Sequence, residues 1–542
     1  MLFKLTQFSA DINFTLEGLR VAITKHLRIS LDQLEYFEII RKSIDARGKR
    51  GKVCFTLSLI LELEKSAQDK VAKHIDKIFG LELYQPSEDG IYPDDFAVDA
   101  DQMKTRPVVV GAGPAGLLAA WQLAVAGANP ILIERGKPVD QRAKSVKDFW
   151  DEGKFMPEDN VLFGEGGAGL FSDGKLTTRS KLRDHLQTVL ELFVHAGADE
   201  SILIDAEPHI GSDKLLKIVP AIRQEIINLG GEVRFDSKLE SIEISQGELT
   251  SITVNGEKIE TENCIIATGH SARDIYKMLH EKQVAVAPKS FAVGVRIEFP
   301  QKQIDLSQYR SCAGHPRLGA ANFRLTRKAD DNARACYSFC MCPGGLVISC
   351  ASSEGMLTTN GMSFSQRDKS LGNAAFLVPV EPADFDPQNN NPLAGIDWQA
   401  KIETLAFESA GSDYSLPANR LKDFLAGKVC KTLPENRSSK RAVPADLSKI
   451  LPGFVVDTLR FTIPKMMQKL SKVKLDDAII YAAETRSSSP VRVLRDADFQ
   501  SPTASGIFPA GEGAGYAGGI VTSAIDGLRA AQALVEKLNH SN

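Results

Sequence analysis

The sequence predicts an α/β protein built on a parallel sheet, with a small α+β unit ahead of that sheet and a long insertion within it. Three observations lead there. An apolar strand, Val108-Val109-Val110, runs into the glycine turn GAGPAG (Gly111 to Gly116), then the helical stretch LLAAWQLAVAG, and a second strand, PILIE, closes on Glu134. Two distant segments repeat the pattern of a buried strand followed by glycine: NCIIATGH (Asn263 to His270) and GIFPAGEGAGYAGG (Gly506 to Gly519). Before all of these, LFKLTQF, EYFEIIRKSID and KVCFTLSLILEL read as strands around the helical runs EGLRVAITKHL and AQDKVAKHIDKIF, a β-α-β-β-α order.

A chain of 542 residues carries roughly three to four domains by length alone. With 43% hydrophobic and 25% charged residues and a net charge of -4, it has no global attraction for nucleic acid or anionic membrane. The basic run Arg41 to Lys52 reads as a solvated hairpin or loop, so nucleic acid is not an expected partner. The opening MLFKLTQFSADINFTLEGL has no long apolar core of a signal peptide, which argues for the cytoplasm. The uncharged run Pro107 to Ile133 is long enough to cross a bilayer. Gly111, Gly113, Pro114 and Gly116 break it early and Asn129-Pro130 break it late, so no membrane span is expected. The eight cysteines are scattered and expected to be reduced. They form no zinc pattern, and no metal site is expected.

Each part of the first motif has a physical task. Gly111 permits the tight turn, Gly113 lets backbone approach a pyrophosphate, and Gly116 allows the helix to pack on the sheet. Pro114 and Ala115 open that helix, whose free N–H groups and dipole favour phosphate. Glu134 is placed to accept hydrogen bonds from a ribose, followed by Arg135. Arg142 reads equally as a pyrophosphate contact or a solvated helix position. The glycines, helix, strand and acid together predict a Rossmann-like dinucleotide-binding domain.

The distant segments select the dinucleotide. Ala267-Thr268-Gly269, Gly511-Glu512 and the turn Gly518-Gly519-Ile520 together resemble the FAD-binding fold of the glutathione reductase superfamily. The resemblance implies that Glu512 bonds the ribityl chain, and that the helix opening at Gly518, Gly519 and Ile520 points at the flavin's pyrimidine edge. The cofactor it implies is FAD, with Val233 counted among the contacts. The string FGEGGAGLFSDGKLTT (Phe163 to Thr178), with CMCPGG, TNGMS and ETRSSSPVR, is similar to a family of bacterial FAD-dependent proteins labelled NAD- or FAD-utilising dehydrogenases. That resemblance implies that Gly166, Gly167, Gly169, Asp173 and Lys175 lie along the isoalloxazine, with Ala168 among the cofactor contacts.

The expected organisation is therefore an N-terminal ferredoxin-like α+β domain (1–100) and a discontinuous Rossmann-like FAD-binding domain (101–274 and 481–542). An inserted α+β cap (275–480) shapes the substrate cavity. The strand from Glu232 is expected to begin a β-meander, and YQPSEDGIYPDDFAVDADQ reads as a linker.

No second dinucleotide fingerprint is visible, so NAD(P)H is expected only as a transient reductant. Cys340 and Cys342 lie two apart, roughly 6–7 Å between Cα atoms in an extended chain. A disulfide needs a bent backbone there, which Pro343-Gly344-Gly345 can help provide; the pair reads as pocket wall before redox dithiol. Arg486 is the stronger polar candidate, as a clamp on a substrate carboxylate or as an ion-pair partner of Glu484 or Asp496. Lys175 is either a flavin N5 partner or a surface charge. His270 precedes Ser271 to Asp274, read as a capping box, and His209 is a loop histidine. The functional expectation is an FAD-binding oxidoreductase passing hydride to or from flavin N5 with a small-molecule substrate. The alternatives are a flavin monooxygenase, and a flavin-dependent sensing protein recruiting a partner or RNA through its N-terminal domain.

Overall fold

The computed structural model describes residues 1–47, 53–85, 96–178, 182–388 and 390–540. In the strand Leu2–Asp11 nearly every second side chain turns inward, the alternation of a sheet with one buried face. It lies between Cys54–Leu63 and a fourth strand, Leu81–Tyr84, and Leu34–Asp45 completes the sheet beyond Cys54–Leu63. Every neighbouring pair is antiparallel, the order of a ferredoxin-like sandwich. The helix Leu16–Leu27 starts where Thr15 accepts the Gly18 amide and lays Leu19, Ile23 and Leu27 on the sheet. Part of the basic run is less free than its sequence suggests: Lys42 pairs with Asp205 at 2.9 Å. The end of that run, 48–52, and the expected linker's 86–95 lie outside the described residues.

The central sheet has five short strands in the order Ile507–Pro509, Cys264–Ile266, Val108–Val110, Ile131–Ile133, Glu232–Arg234, all parallel. The first four are buried throughout, as parallel strands covered on both faces must be. Glu232–Arg234 is therefore the sheet's edge and does not begin the meander, which runs through Leu239–Ser245, Glu248–Val254 and Glu257–Glu260. The reason is the crossover through the helix Ser212–Asn228, which delivers the chain to the open edge beside Ile131–Ile133. The helix Pro114–Val125 is apolar nearly all round, because the helix Ile520–His540 covers the side that the sheet leaves open. At their crossing, a side chain on Gly527 would strike the Ala115 carbonyl.

The insertion forms a seven-stranded sheet with Phe291–Pro300 near its middle, flanked by Leu371–Val380 and Ile479–Glu484. Cys336–Cys342 lies beyond Leu371–Val380, and Leu416–Arg420 beyond Ile479–Glu484. The cap sheet thus includes Ile479–Glu484 and runs past the boundary expected at 480/481. Among the described residues no helix is long and apolar enough to cross a membrane.

Candidate cofactor cavity and active site

A cavity of about 1060 Å³ opens between the parallel sheet and the cap. Its sheet side is the first glycine turn: Gly111, Gly113, Pro114 and Ala115 all face it. Gly111 adopts φ 101°, a conformation that favours glycine. Gly116 is off the wall; a side chain there would overlap the Gly111 carbonyl oxygen, so this glycine lets the turn close. Gly113, the N-cap of its helix, supplies no capping side chain, and the first helical turn holds no acid. The amides of that turn are consequently open to an anion.

Glu134 and Arg142 shape the adjoining loop. Glu134 is buried, and its carboxylate accepts the amides of Ala112 (2.8 Å), Gly136 (3.0 Å) and Gly164 (3.0 Å) while still facing the cavity. The carboxylate thus ties together three backbone segments, a task its sequence position does not announce. Arg142 corrects both of its expected readings. It is neither solvated nor on the cavity wall, but fully buried. Its guanidinium donates to the carbonyls of Asn160, Val161, Gly164, Glu165 and Gly167. Burial brings its pKa down to about 10, against the nearby charges of Glu134, Asp159 and Glu165. Arg135 does face the cavity, stacked over Phe163 and paired with Glu158 and Asp274.

Gly167, Ala168 and Gly169 line the cavity, but Gly166 does not: its amide is spent on the Ala112 carbonyl at 2.8 Å. Val233 is also off the wall, in the edge strand; Ser237 and Leu239, just after it, take that place. Beside the first glycine turn, at the end of the neighbouring parallel strand, Ala267, Thr268 and Gly269 line the cavity, as do Glu512, Gly518, Gly519 and Ile520. Gly511 lies behind them, its amide held by Asp526 at 2.7 Å. His270 places Nδ1 3.3 Å from Glu512. The expected capping box at Ser271 does not form: the helix Arg273–Glu281 starts from Ala272 without a side-chain cap. Asp274 instead bonds Arg135 through both oxygens at 3.0 Å.

Further charged groups face the same cavity. Arg486 lines the cavity, yet its partner is neither Glu484 nor Asp496. Glu403, on the helix Ala394–Ser409, accepts from Arg486 Nε at 2.6 Å and Nη2 at 3.0 Å. Arg273 reaches the same carboxylate at 3.0 Å. Burial opposes ionisation of Glu403, but the two guanidinium groups outweigh it and hold the carboxyl at about 2. Two cations share one anion, and Arg486 Nη1 is buried with no hydrogen-bond partner. Glu484 goes to Arg296, with contacts of 2.9 and 2.6 Å, in a fully buried pair. Asp173, on the wall and buried, is paired with Arg367 through Nε at 3.0 Å. Lys175 also faces the cavity, with Nζ bonded to the Met341 carbonyl. Cys340 is on the wall and Cys342 is buried behind it. His209 is off the wall, bonded to the Ser365 carbonyl at 3.1 Å.

Glu403, Arg273 and Arg367 escaped the sequence reading. No local motif marks them, because each gains its role only through a partner far away in the chain.

A parallel sheet, glycine turn, buried acid and cap around one cavity define a two-part dinucleotide-type flavoprotein. The family comparisons narrow this class. Residues 105–287 match the pyridine nucleotide-disulphide oxidoreductase model, and residues 290–487 match that of the FAD-dependent protein, C-terminal domain-like family. Residues 4–62 match a domain of unknown function. An uncharacterized protein of Clostridium beijerinckii is 41% identical over 99% of this chain and 99% of its own. The chain belongs to this family of bacterial FAD-dependent proteins. Among solved structures, a geranylgeranyl bacteriochlorophyll reductase-like protein from Thermoplasma acidophilum is 12% identical over 80% of this chain and 78% of that one, TM-score 0.34. CtdE in complex with FAD is 13% identical over 81% and 92%, TM-score 0.29. Likenesses this loose bear on neither substrate nor mechanism.

Proposed function

We propose that the cavity holds FAD and that the protein is an oxidoreductase acting on a small molecule beneath the cap. The observation carrying this reading is the convergence on a single cavity of two helix N-termini with no acid in their first turns and one buried carboxylate. The residues fit the cofactor in kind. The helix Pro114–Val125 offers its free first-turn amides to the pyrophosphate, and Glu134 its remaining acceptor capacity to the adenosine ribose. At the other end, the helix Ile520–His540 has no acid in its first turn. A side chain on Gly518 would meet nothing within 4 Å, so that turn opens on space. Its positive end suits the flavin's pyrimidine edge, where negative charge develops on reduction. Glu512 is assigned to the ribityl chain.

When bound, FAD supplies the two-electron chemistry, hydride passing to or from N5. The chain's own part is position and charge. Arg486, with one unpaired nitrogen and a surplus positive charge shared with Arg273, suits a substrate bearing a carboxylate or similar anion. Lys175 adds a second cation on the same wall.

Anaerobic mixing of the flavin-loaded protein with NADH, NADPH and a panel of small carboxylic acids tests this reading. Loss of the yellow colour with one of these donors, slowed by Arg486→Ala, is the expected result. A flavin that no donor reduces would instead favour the sensing role.

A further inference from the structure

Cys340 and Cys342 sit where the cap strand Cys336–Cys342 is interrupted. Phe339 pairs with Ala375 and Cys342 with Asn373, so an extra residue is accommodated between them. Cys340 takes φ 40°, in the left-handed region that a cysteine seldom adopts. Such a bulge bends a strand and re-aims a side chain, and residues two apart already share a face of a strand. The outcome is a nested pair of thiols. Cys340 is half-buried and lines the cavity, while Cys342 is fully buried and off the wall. The Cys342 thiol donates to the Cys340 carbonyl at 3.4 Å, which holds the two side chains of the bulge beside each other.

Their surroundings divide the work between them. The neighbouring Cys342 side chain lowers the Cys340 pKa below an ordinary cysteine's, aided by the charges of Lys175 and Arg296 and opposed by burial and Asp173. Cys342, beside Cys340 in a dry site, is pushed the other way. The buried Cys264 offers the contrast: burial alone raises it to about 12. A thiol facing a cavity with a second, buried thiol directly behind it is the arrangement of an attacking and a resolving cysteine.

We propose that Cys340 and Cys342 are a redox dithiol that exchanges with a small-molecule disulfide admitted to the cavity. Cys340 thiolate attacks one sulfur of R–S–S–R, forming a mixed disulfide and releasing one thiolate, which takes a proton from water. Cys342 then gives up its proton and attacks the Cys340 sulfur, closing the Cys340–Cys342 bond and releasing the second R–S group, again protonated. Two protein thiols are oxidised by two electrons and one external disulfide is reduced to two thiols. No electron in this exchange passes through the flavin, so the proposal stands apart from the cofactor assignment.

The test treats the full-length protein, as purified, with oxidised glutathione, quenches in acid, and maps the alkylated peptides by mass. Wild type is expected to gain a Cys340–Cys342 link while Cys54 and Cys312, the other half-exposed thiols, stay reduced. Cys342→Ala should stop at glutathione on Cys340, and Cys340→Ala should give neither product. Should Cys342→Ala fail to fold, iodoacetamide on wild type decides: Cys340 should be alkylated severalfold faster than Cys54 or Cys312 at neutral pH. Wild type with no link, or with glutathione on Cys54 or Cys312 as readily as on Cys340, overturns the proposal. So does alkylation of Cys340 no faster than its half-exposed counterparts.

Discussion

Glu134 and Arg142 grip the two polar groups of one residue: Glu134 accepts the Gly164 amide at 3.0 Å and Arg142 donates to the Gly164 carbonyl at 3.2 Å. The glycine loop on the cavity wall is thereby fixed by a buried acid and a buried base, and only the acid meets the ligand space. The wall's shape therefore depends on a residue that never touches what it holds.

Arg142→Ala should uncover that dependence. It strands several buried carbonyls at once, each costing about 1–3 kcal/mol when left unpaired. The expected outcome is a sharp fall in Tm together with loss of bound flavin. Calorimetry and the ratio of flavin to protein absorbance measure the two. Arg142→Lys should recover little, because an ammonium cannot span the fork.

Glu134→Gln tests the other half. The amide's NH₂ must face at least one backbone N–H where a carboxylate oxygen now accepts. Flavin affinity should fall at least about tenfold, roughly 1.4 kcal/mol, in a titration of apoprotein.

Two neighbouring glycines should behave differently. Gly116→Ala puts a methyl group into the Gly111 carbonyl and should abolish soluble folded protein. In Gly113→Ala the methyl meets only the Gly167 Cα, at 3.8 Å, and the backbone φ of -78° suits alanine. That variant should fold with near wild-type Tm and still bind flavin poorly. Circular dichroism and flavin titration separate these outcomes.

Glu403 gives a pH signature. Its carboxyl is held at about 2 in the folded chain against 4.5 ordinarily, so its contribution to stability is complete above 4.5 and disappears as pH falls toward 2. Wild type should lose stability across that window more steeply than Glu403→Gln. At neutral pH the variant should be destabilised by about 3–5 kcal/mol, with Arg273 and Arg486 left as uncompensated buried charges. Urea titrations at several pH values provide the comparison.

What was legible in the sequence was whatever is local. Gly111 to Gly116 announced the turn and helix because strand, glycines and Glu134 lie within one short βαβ stretch. The late Gly518-Gly519 turn was visible for the same reason. Arg142 was misjudged because amphipathic spacing places a residue on a helix face without saying what covers that face; here a neighbouring loop covers it. Arg486 lines the cavity, but its partner is not legible in the sequence. Its acid, Glu403, is brought near by a helix laid across the cap sheet, a tertiary event with no trace in local spacing. The strand Glu232–Arg234 was recognised but put in the wrong sheet, since three residues carry no record of their neighbour.

The grip of these separated turns on one FAD is the core of the proposed function. Its most direct test is equilibrium titration of apoprotein with FAD, followed by flavin fluorescence and paired with Gly113→Ala. Wild type is expected to saturate at one FAD per chain, and the variant to bind markedly more weakly. Wild-type protein that neither carries nor takes up FAD would contradict the proposed function, as would a Gly113→Ala protein that binds FAD equally well.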